Sequence, residues 1–196
     1  ASKISEKVVK VLEGESKEYQ AVNTSPILSV SRQKVSVKSS DESIFTAEIL
    51  TRAGSQFQPK DIVDKIKING VSKGKATLTI DTNGKTVEYP VVIQNTTDAV
   101  KEVTLSDTET NLIQGDSKTL QADVTPETAM TTLNWSSSAP DIVSVKDGRI
   151  TGLKAGNAVI TVTATDALGN RVEASCDVTV TEQPYNVEVY VPKGIL

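Results

Sequence analysis

Thr151-Gly152-Leu153-Lys154-Ala155-Gly156-Asn157-Ala158-Val159-Ile160-Thr161-Val162 has a counterpart earlier in the chain, Asn69-Gly70-Val71-Ser72-Lys73-Gly74-Lys75-Ala76-Thr77-Leu78-Thr79-Ile80. In each, a turn with two glycines leads into an alternating run. Ala158, Ile160, Val162 and Ala164 share one parity, and Val159, Thr161 and Thr163 the other. A period of two belongs to a strand, whose successive side chains point to opposite faces. The stretch therefore predicts a strand with one buried face, entered through a glycine turn, and predicts it twice.

Outward from this pair, more blocks recur. Leu112-Ile113-Gln114-Gly115-Asp116-Ser117-Lys118-Thr119-Leu120 answers Val11-Leu12-Glu13-Gly14-Glu15-Ser16-Lys17-Glu18-Tyr19. Trp135-Ser136-Ser137-Ser138, followed by Asp141-Ile142-Val143, answers Val37-Lys38-Ser39-Ser40 followed by Ser43-Ile44-Phe45. Gly169-Asn170-Arg171-Val172-Glu173 with Cys176-Asp177-Val178 answers Gly84-Lys85-Thr86-Val87-Glu88 with Val91-Val92-Ile93. Blocks repeated in one order mark an internal duplication. Turn residues able to adopt positive φ, at Asn83-Gly84, Asp147-Gly148 and Leu168-Gly169-Asn170, separate the short strands. Such spacing predicts β-sandwiches. The boundaries fall at 1–97 and 98–182, with 183–196 as a C-terminal extension or the opening of a further domain.

The halves differ most between Phe45 and Asn69, where the first is longer, the extra residues centring on Leu50 to Lys67. This reads as an enlarged surface loop at about 50–67. Pro59 to Ile66 predicts a short helix within it, with Pro in the first turn and Ile62, Val63 and Ile66 as its apolar side. Sandwich proteins carry specificity in loops, so Gln56, Phe57, Gln58, Lys60 and Asp61 are the candidate binding residues.

Composition agrees with the pattern and excludes much chemistry. The chain has 196 residues, 37% hydrophobic and 23% charged, the profile of a soluble globular protein with no membrane insertion in this segment. Its abundant Val, Ile and Thr favour strands. A net charge of −4 without a basic cluster makes nucleic acid an unsuitable partner. Histidine is absent, which removes the commonest general base and neutral metal ligand. The expectation is no catalytic residue, no metal and no cofactor. The single cysteine, Cys176, cannot close an intrachain disulfide. It occupies an apolar strand position and reads as a small buried hydrophobe.

Residues 103–180 resemble a group 2 bacterial immunoglobulin-like domain, the type found in intimin and invasin ectodomains. The resemblance is carried by Val103-Thr104-Leu105, Gly115, Ala122-Asp123-Val124-Thr125-Pro126, Trp135-Ser136-Ser137-Ser138, Ile142-Val143-Ser144-Val145, Gly148-Arg149-Ile150-Thr151-Gly152, the stretch Ala155 to Val162, and Cys176-Asp177-Val178-Thr179-Val180. Residues 7–94 resemble the family through the repeat, with Val37 in place of Trp135. The resemblance implies an all-β chain of two tandem immunoglobulin-like sandwiches. Trp135 has two readings, a carbohydrate-stacking platform and a core anchor, and its place on an expected inner strand favours the core anchor. The resemblance also implies an extracellular or cell-surface setting, or a phage virion.

Three readings of function stay open: a structural or adhesive module acting as spacer or binding domain, a structural protein of a phage tail or head, and an accessory, carbohydrate-binding region of a secreted enzyme. The partner is then another protein or a surface glycan. The acidic pairs Asp107 with Glu109 and Asp41 with Glu42 read as solvated turn charges, since no spacing of oxygen ligands surrounds them.

Overall fold

The computed structural model describes residues 8–20, 35–52, 62–185 and 192–194. Two compact units emerge, one of Ala1–Lys101, Thr125–Thr131 and Asp166–Asn170, the other of Glu102–Val124, Thr132–Thr165 and Arg171–Leu196. The fold is all-β, with an immunoglobulin-like sandwich in each half.

The first half contains β1 (Val9–Leu12), β2 (Ser16–Gln20), β3 (Val35–Ser39), β4 (Phe45–Arg52), β5 (Ile62–Gly70), β6 (Gly74–Thr82) and β7 (Lys85–Gln94). They form a sheet in the order β1-β7-β6-β3 and a second in the order β2-β5-β4. Val9, Val11, Leu78, Val91 and Ile93 from the first sheet meet Tyr19, Phe45, Ile66 and Ile68 from the second in one buried cluster.

The second half contains β8 (Glu102–Leu105), β9 (Glu109–Ile113), β10 (Ser117–Thr119), β11 (Ala122–Thr125), β12 (Thr131–Ser137), β13 (Val143–Lys146), β14 (Arg149–Gly152), β15 (Gly156–Asp166) and β16 (Arg171–Thr181). Its larger sheet runs β9-β16-β15-β12, a smaller one β10-β14-β13, and β8 pairs with β11. Matched strand for strand, β1 to β7 correspond to β9, β10, β12, β13, β14, β15 and β16, in the same sheets and the same order.

The opening stretch shows why these residues form these layers. Ala158, Ile160, Val162 and Ala164 are buried whereas Val159 on the other face is 38% exposed. The antiparallel register sets Ile160 opposite Cys176 and Ala158 opposite Val178, so the buried sets of β15 and β16 coincide. Each buried Val or Ile of this set taken out of water contributes about 1.5–3 kcal/mol.

The duplication extends to single hydrogen bonds. Ser138 N donates to Val159 O at 2.9 Å while its Oγ accepts from Val159 N at 2.7 Å. Ser40 and Thr77 do the same at 2.9 and 2.8 Å. Leu153 N donates to Ile142 O at 2.8 Å, and Val71 N to Ile44 O at 2.9 Å. Each of these isoleucines lies against the glycine that starts the next strand. A Cβ at Gly156 would meet Ile142 Cδ1 at 2.8 Å and one at Gly74 would meet Ile44 Cδ1 at 3.0 Å, both glycines having positive φ. The glycines in the repeated motif are thus required by backbone conformation and by contact.

The enlarged loop and its helix need correction. Residues 50–52 close β4 and 62–67 belong to β5, paired antiparallel with a register shift between Leu50 and Thr51. Ile62 to Ile66 is therefore strand and not helix. Ile66-Lys67-Ile68 alternates, and Ile66 and Ile68 are both buried. Burying that alternation in the middle strand of a sheet outweighs the helical spacing of Ile62, Val63 and Ile66.

Two substitutions probe these constraints. Ile160→Ala is expected to cost about 2–5 kcal/mol. Gly156→Ala is expected to cost at least about 1 kcal/mol through positive φ and the Ile142 contact. Urea denaturation measures both, and an undiminished midpoint in either variant contradicts the packing described.

Candidate functional site

Gln56, Phe57, Gln58, Lys60 and Asp61 lie outside the described residues. Of the other residues singled out in the sequence, Cys176 is fully buried and burial pushes its thiol above the ordinary value, which leaves it a poor nucleophile. Asp107 accepts an ion pair from Lys118 Nζ at 3.0 Å. Asp41 Oδ1 accepts from Ser43 N at 2.9 Å and Ser43 Oγ at 2.6 Å, and these bonds lower its pKa. Trp135 packs against the core cluster of the second half but stays partly exposed, on a strand at the edge of its sheet.

The first unit contains three polar side chains held by several hydrogen bonds each, Asn95, Asp98 and Asp166. Asn95 is only 3% exposed. Its Oδ1 accepts from Thr97 N at 2.8 Å, Thr97 Oγ1 at 2.7 Å and Asp98 N at 2.8 Å, and its Nδ2 donates to Thr128 O at 3.2 Å. Asp98 receives Lys73 Nζ at 2.7 Å and Thr128 Oγ1 at 2.6 Å. The lysine first, then the threonine, hold its carboxyl well below the usual carboxylate range.

Asp166, 6% exposed, is saturated. Oδ2 accepts from Val100 N and Asn170 Nδ2, both at 2.9 Å, and Oδ1 from Leu168 N at 2.9 Å and Asn170 N at 2.8 Å. Burial alone would raise its pKa, but the bonds from Val100, Asn170 and Leu168 outweigh burial and lower it. Two donors on each oxygen exhaust what a carboxylate offers in its plane, so this group is structural and has no lone pair left for a ligand. Its signal in the sequence is turn chemistry, an Asp three residues before Gly169.

The remaining geometry concerns the ends of each half. β1 lies parallel to β7, with Val9 opposite Val91 and Leu12 opposite Gln94. β9 lies parallel to β16, with Glu109 opposite Asp177 and Ile113 opposite Thr181. Each ladder gains one more bond, Glu13 N to Gln94 O at 2.7 Å and Gln114 N to Thr181 O at 2.8 Å. Among the described residues, no group of three acidic, Cys or His side chains is placed to hold a metal ion, and no helix is long and apolar enough to cross a membrane.

With the fold and these sites in view, residues 99–174 match the family model of the bacterial Ig-like domain (group 2). Residues 99–174 are a group 2 bacterial Ig-like domain. Part of this chain is similar to part of an α-L-arabinofuranosidase of Bifidobacterium longum, 46% identical over 79 residues, covering 39% of this chain and 7% of the enzyme. Part of it is also similar to part of an uncharacterised protein of Clostridium acetobutylicum, 38% identical over 81 residues, covering 40% of this chain and 8% of that protein. The chain thus spans under a tenth of the length of these relatives. Among solved structures, domains 5–6 of the S-layer protein SbsC align over 88% of this chain and 94% of that one, with 16% identity and a TM-score of 0.36.

The lowered carboxyls of Asp98 and Asp166 give a pH dependence with a definite sign. A folded pKa below the ordinary 3.8 stabilises the fold fully above that value, and the contribution disappears as pH falls toward the folded pKa. Stability is expected to hold from neutral pH down to mild acid and then to fall. Asp166→Asn, which turns one acceptor into a donor facing N–H groups, is expected to be less stable at neutral pH and to flatten that acid decline. Urea midpoints measured across the acid range check both.

Proposed function

We propose that this chain is a non-catalytic, load-bearing segment of a bacterial cell-surface or secreted protein, in which its Ig-like domains act as spacers. The observation that carries the reading is the parallel pairing at the ends of each half. A strand near the start of each repeat lies alongside its last strand and points the same way. Tension applied at the two ends of a repeat pulls such strands in opposite directions along their length. The ladder bonds then resist together in shear, instead of parting one by one as in a hairpin opened from its end. Val9, Val11, Val91 and Ile93 at one ladder, and Leu112, Val178 and Val180 at the other, are buried, which adds packing to the bonds that sliding would break.

The first half is on this reading a divergent copy of the second. Its support is the matching sheet order and the paired bonds of Ser40 with Ser138 and of Ile44 with Ile142. Binding to another protein or to a surface glycan through Gln56 to Asp61 belongs to the same proposal. A second reading is favoured by the 46% identity to part of the arabinofuranosidase: an accessory module appended to a large secreted enzyme. The matched portion is 7% of that enzyme, which supports a role apart from its chemistry.

Single-molecule force spectroscopy on the full chain tests the load-bearing reading. Leu112→Ala lies in the parallel ladder and Ile150→Ala in the opposite sheet, and both remove buried aliphatic carbons. Forced unfolding follows the unfolding barrier. Leu112→Ala is therefore expected to lower the unfolding force of the second domain more than Ile150→Ala does for the same loss of equilibrium stability. Equal forces at equal stability count against the proposal.

A further inference from the structure

We propose that the groove beside Trp135 is a binding site for a neutral sugar ring. The buried Leu120 and the half-buried Trp135 give it an apolar floor, Leu133 also lines it, and the exposed Gln121 and Asp147 are its polar margin; the open groove has a volume of about 260 Å³. That is below the roughly 300–1,000 Å³ of sites for drug-sized molecules, and it suits one small ring. Every lining residue belongs to the second unit.

The walls are set before any ligand arrives. Asp147 and Gly148 form the turn between β13 and β14, with φ of 50° and 83°. A Cβ at Gly148 would lie 2.7 Å from Leu120 O and 3.1 Å from Trp135 Cζ2, so glycine lets the turn press against the indole edge. Leu120 N donates to Gly148 O at 2.8 Å, tying the floor to that turn. Gln121 is held by a reciprocal pair with Ser106: Ser106 N to Gln121 O at 2.8 Å and Gln121 N to Ser106 Oγ at 3.0 Å. A preformed site spares a weak ligand the cost of ordering it.

The chemistry of the lining selects the ligand class. An indole beside a leucine offers an apolar surface for the C–H face of a sugar. Among the described residues, the indole N–H has no protein acceptor, and it is not enclosed. The Asp147 carboxylate and the Gln121 side-chain amide are exposed at the margin and make no side-chain hydrogen bond there. Two donors and several acceptors around an apolar floor match hydroxyl groups around a ring. The carboxylate itself, in a chain of net charge −4, disfavours acidic sugars. A wholly apolar occupant would leave these polar groups desolvated and unpaired.

Trp135 is the single tryptophan of the chain, so its fluorescence reports this groove alone. The full chain is titrated with neutral arabino-, xylo- and gluco-oligosaccharides and with oligogalacturonate. Saturable change with at least one neutral series and none with the acidic one is expected. Asp147→Gly, which keeps the positive φ without strain, and Gln121→Ala are each expected to weaken binding roughly tenfold with the urea midpoint unchanged. Should Asp147→Gly shift that midpoint, Asp147→Asn takes its place. The proposal is overturned by the absence of a saturable response to every neutral sugar, by equal binding of the acidic oligomer, or by binding that survives both substitutions. None of these outcomes bears on the load-bearing reading.

Discussion

A strand can turn only every second side chain inward, and this protein depends on that restriction in both halves. Ala158, Ile160, Val162 and Ala164 are apolar at every inward position, and β16 supplies Cys176, Val178 and Val180 on the same face. Shift the register by one residue and the buried set becomes Val159, Thr161 and Thr163, with hydroxyl groups facing the core. Strand order and the seating of Ile142 on Gly156 follow once that register is fixed. With 4% aromatic residues, the interior is made chiefly of small aliphatic groups, so close contact matters more than bulk.

What could be read from the sequence follows the range of the interactions. Alternation along β15, the glycine turns and the order of the repeated blocks are local or nearly local, and the structure keeps them. The helix expected around Ile62 to Ile66 failed because its apolar residues fit both periods over so short a run, and pairing with β2 and β4 decided the outcome. The parallel ladders have no local signature, since Val9 and Val91 come from opposite ends of a repeat. Trp135 was legible as a core contact, but the edge position that leaves it partly exposed was not. β12 is an edge strand, and the Trp135 ring is partly exposed there.

The polar groups divide into those already satisfied and those still open. Asp166 has four donors on two oxygens and Asn95 is bonded at both ends of its amide, so both hold backbone in place. Asp147 and Gln121 are equally polar, yet their side chains face solvent beside an apolar floor. Counting bonds, rather than counting acidic residues, separates a structural carboxylate from one available to a ligand.

The pairing of β1 with β7 and of β9 with β16 also governs when each half can fold. The contacts that close a repeat join its start to its finish, a pattern of high contact order that slows folding. Until β7 has been made, β1 has no strand to lie against, and Val9 and Val11 have nowhere to be buried. A repeat built this way emerges from synthesis as an open chain and closes only when its last strand arrives.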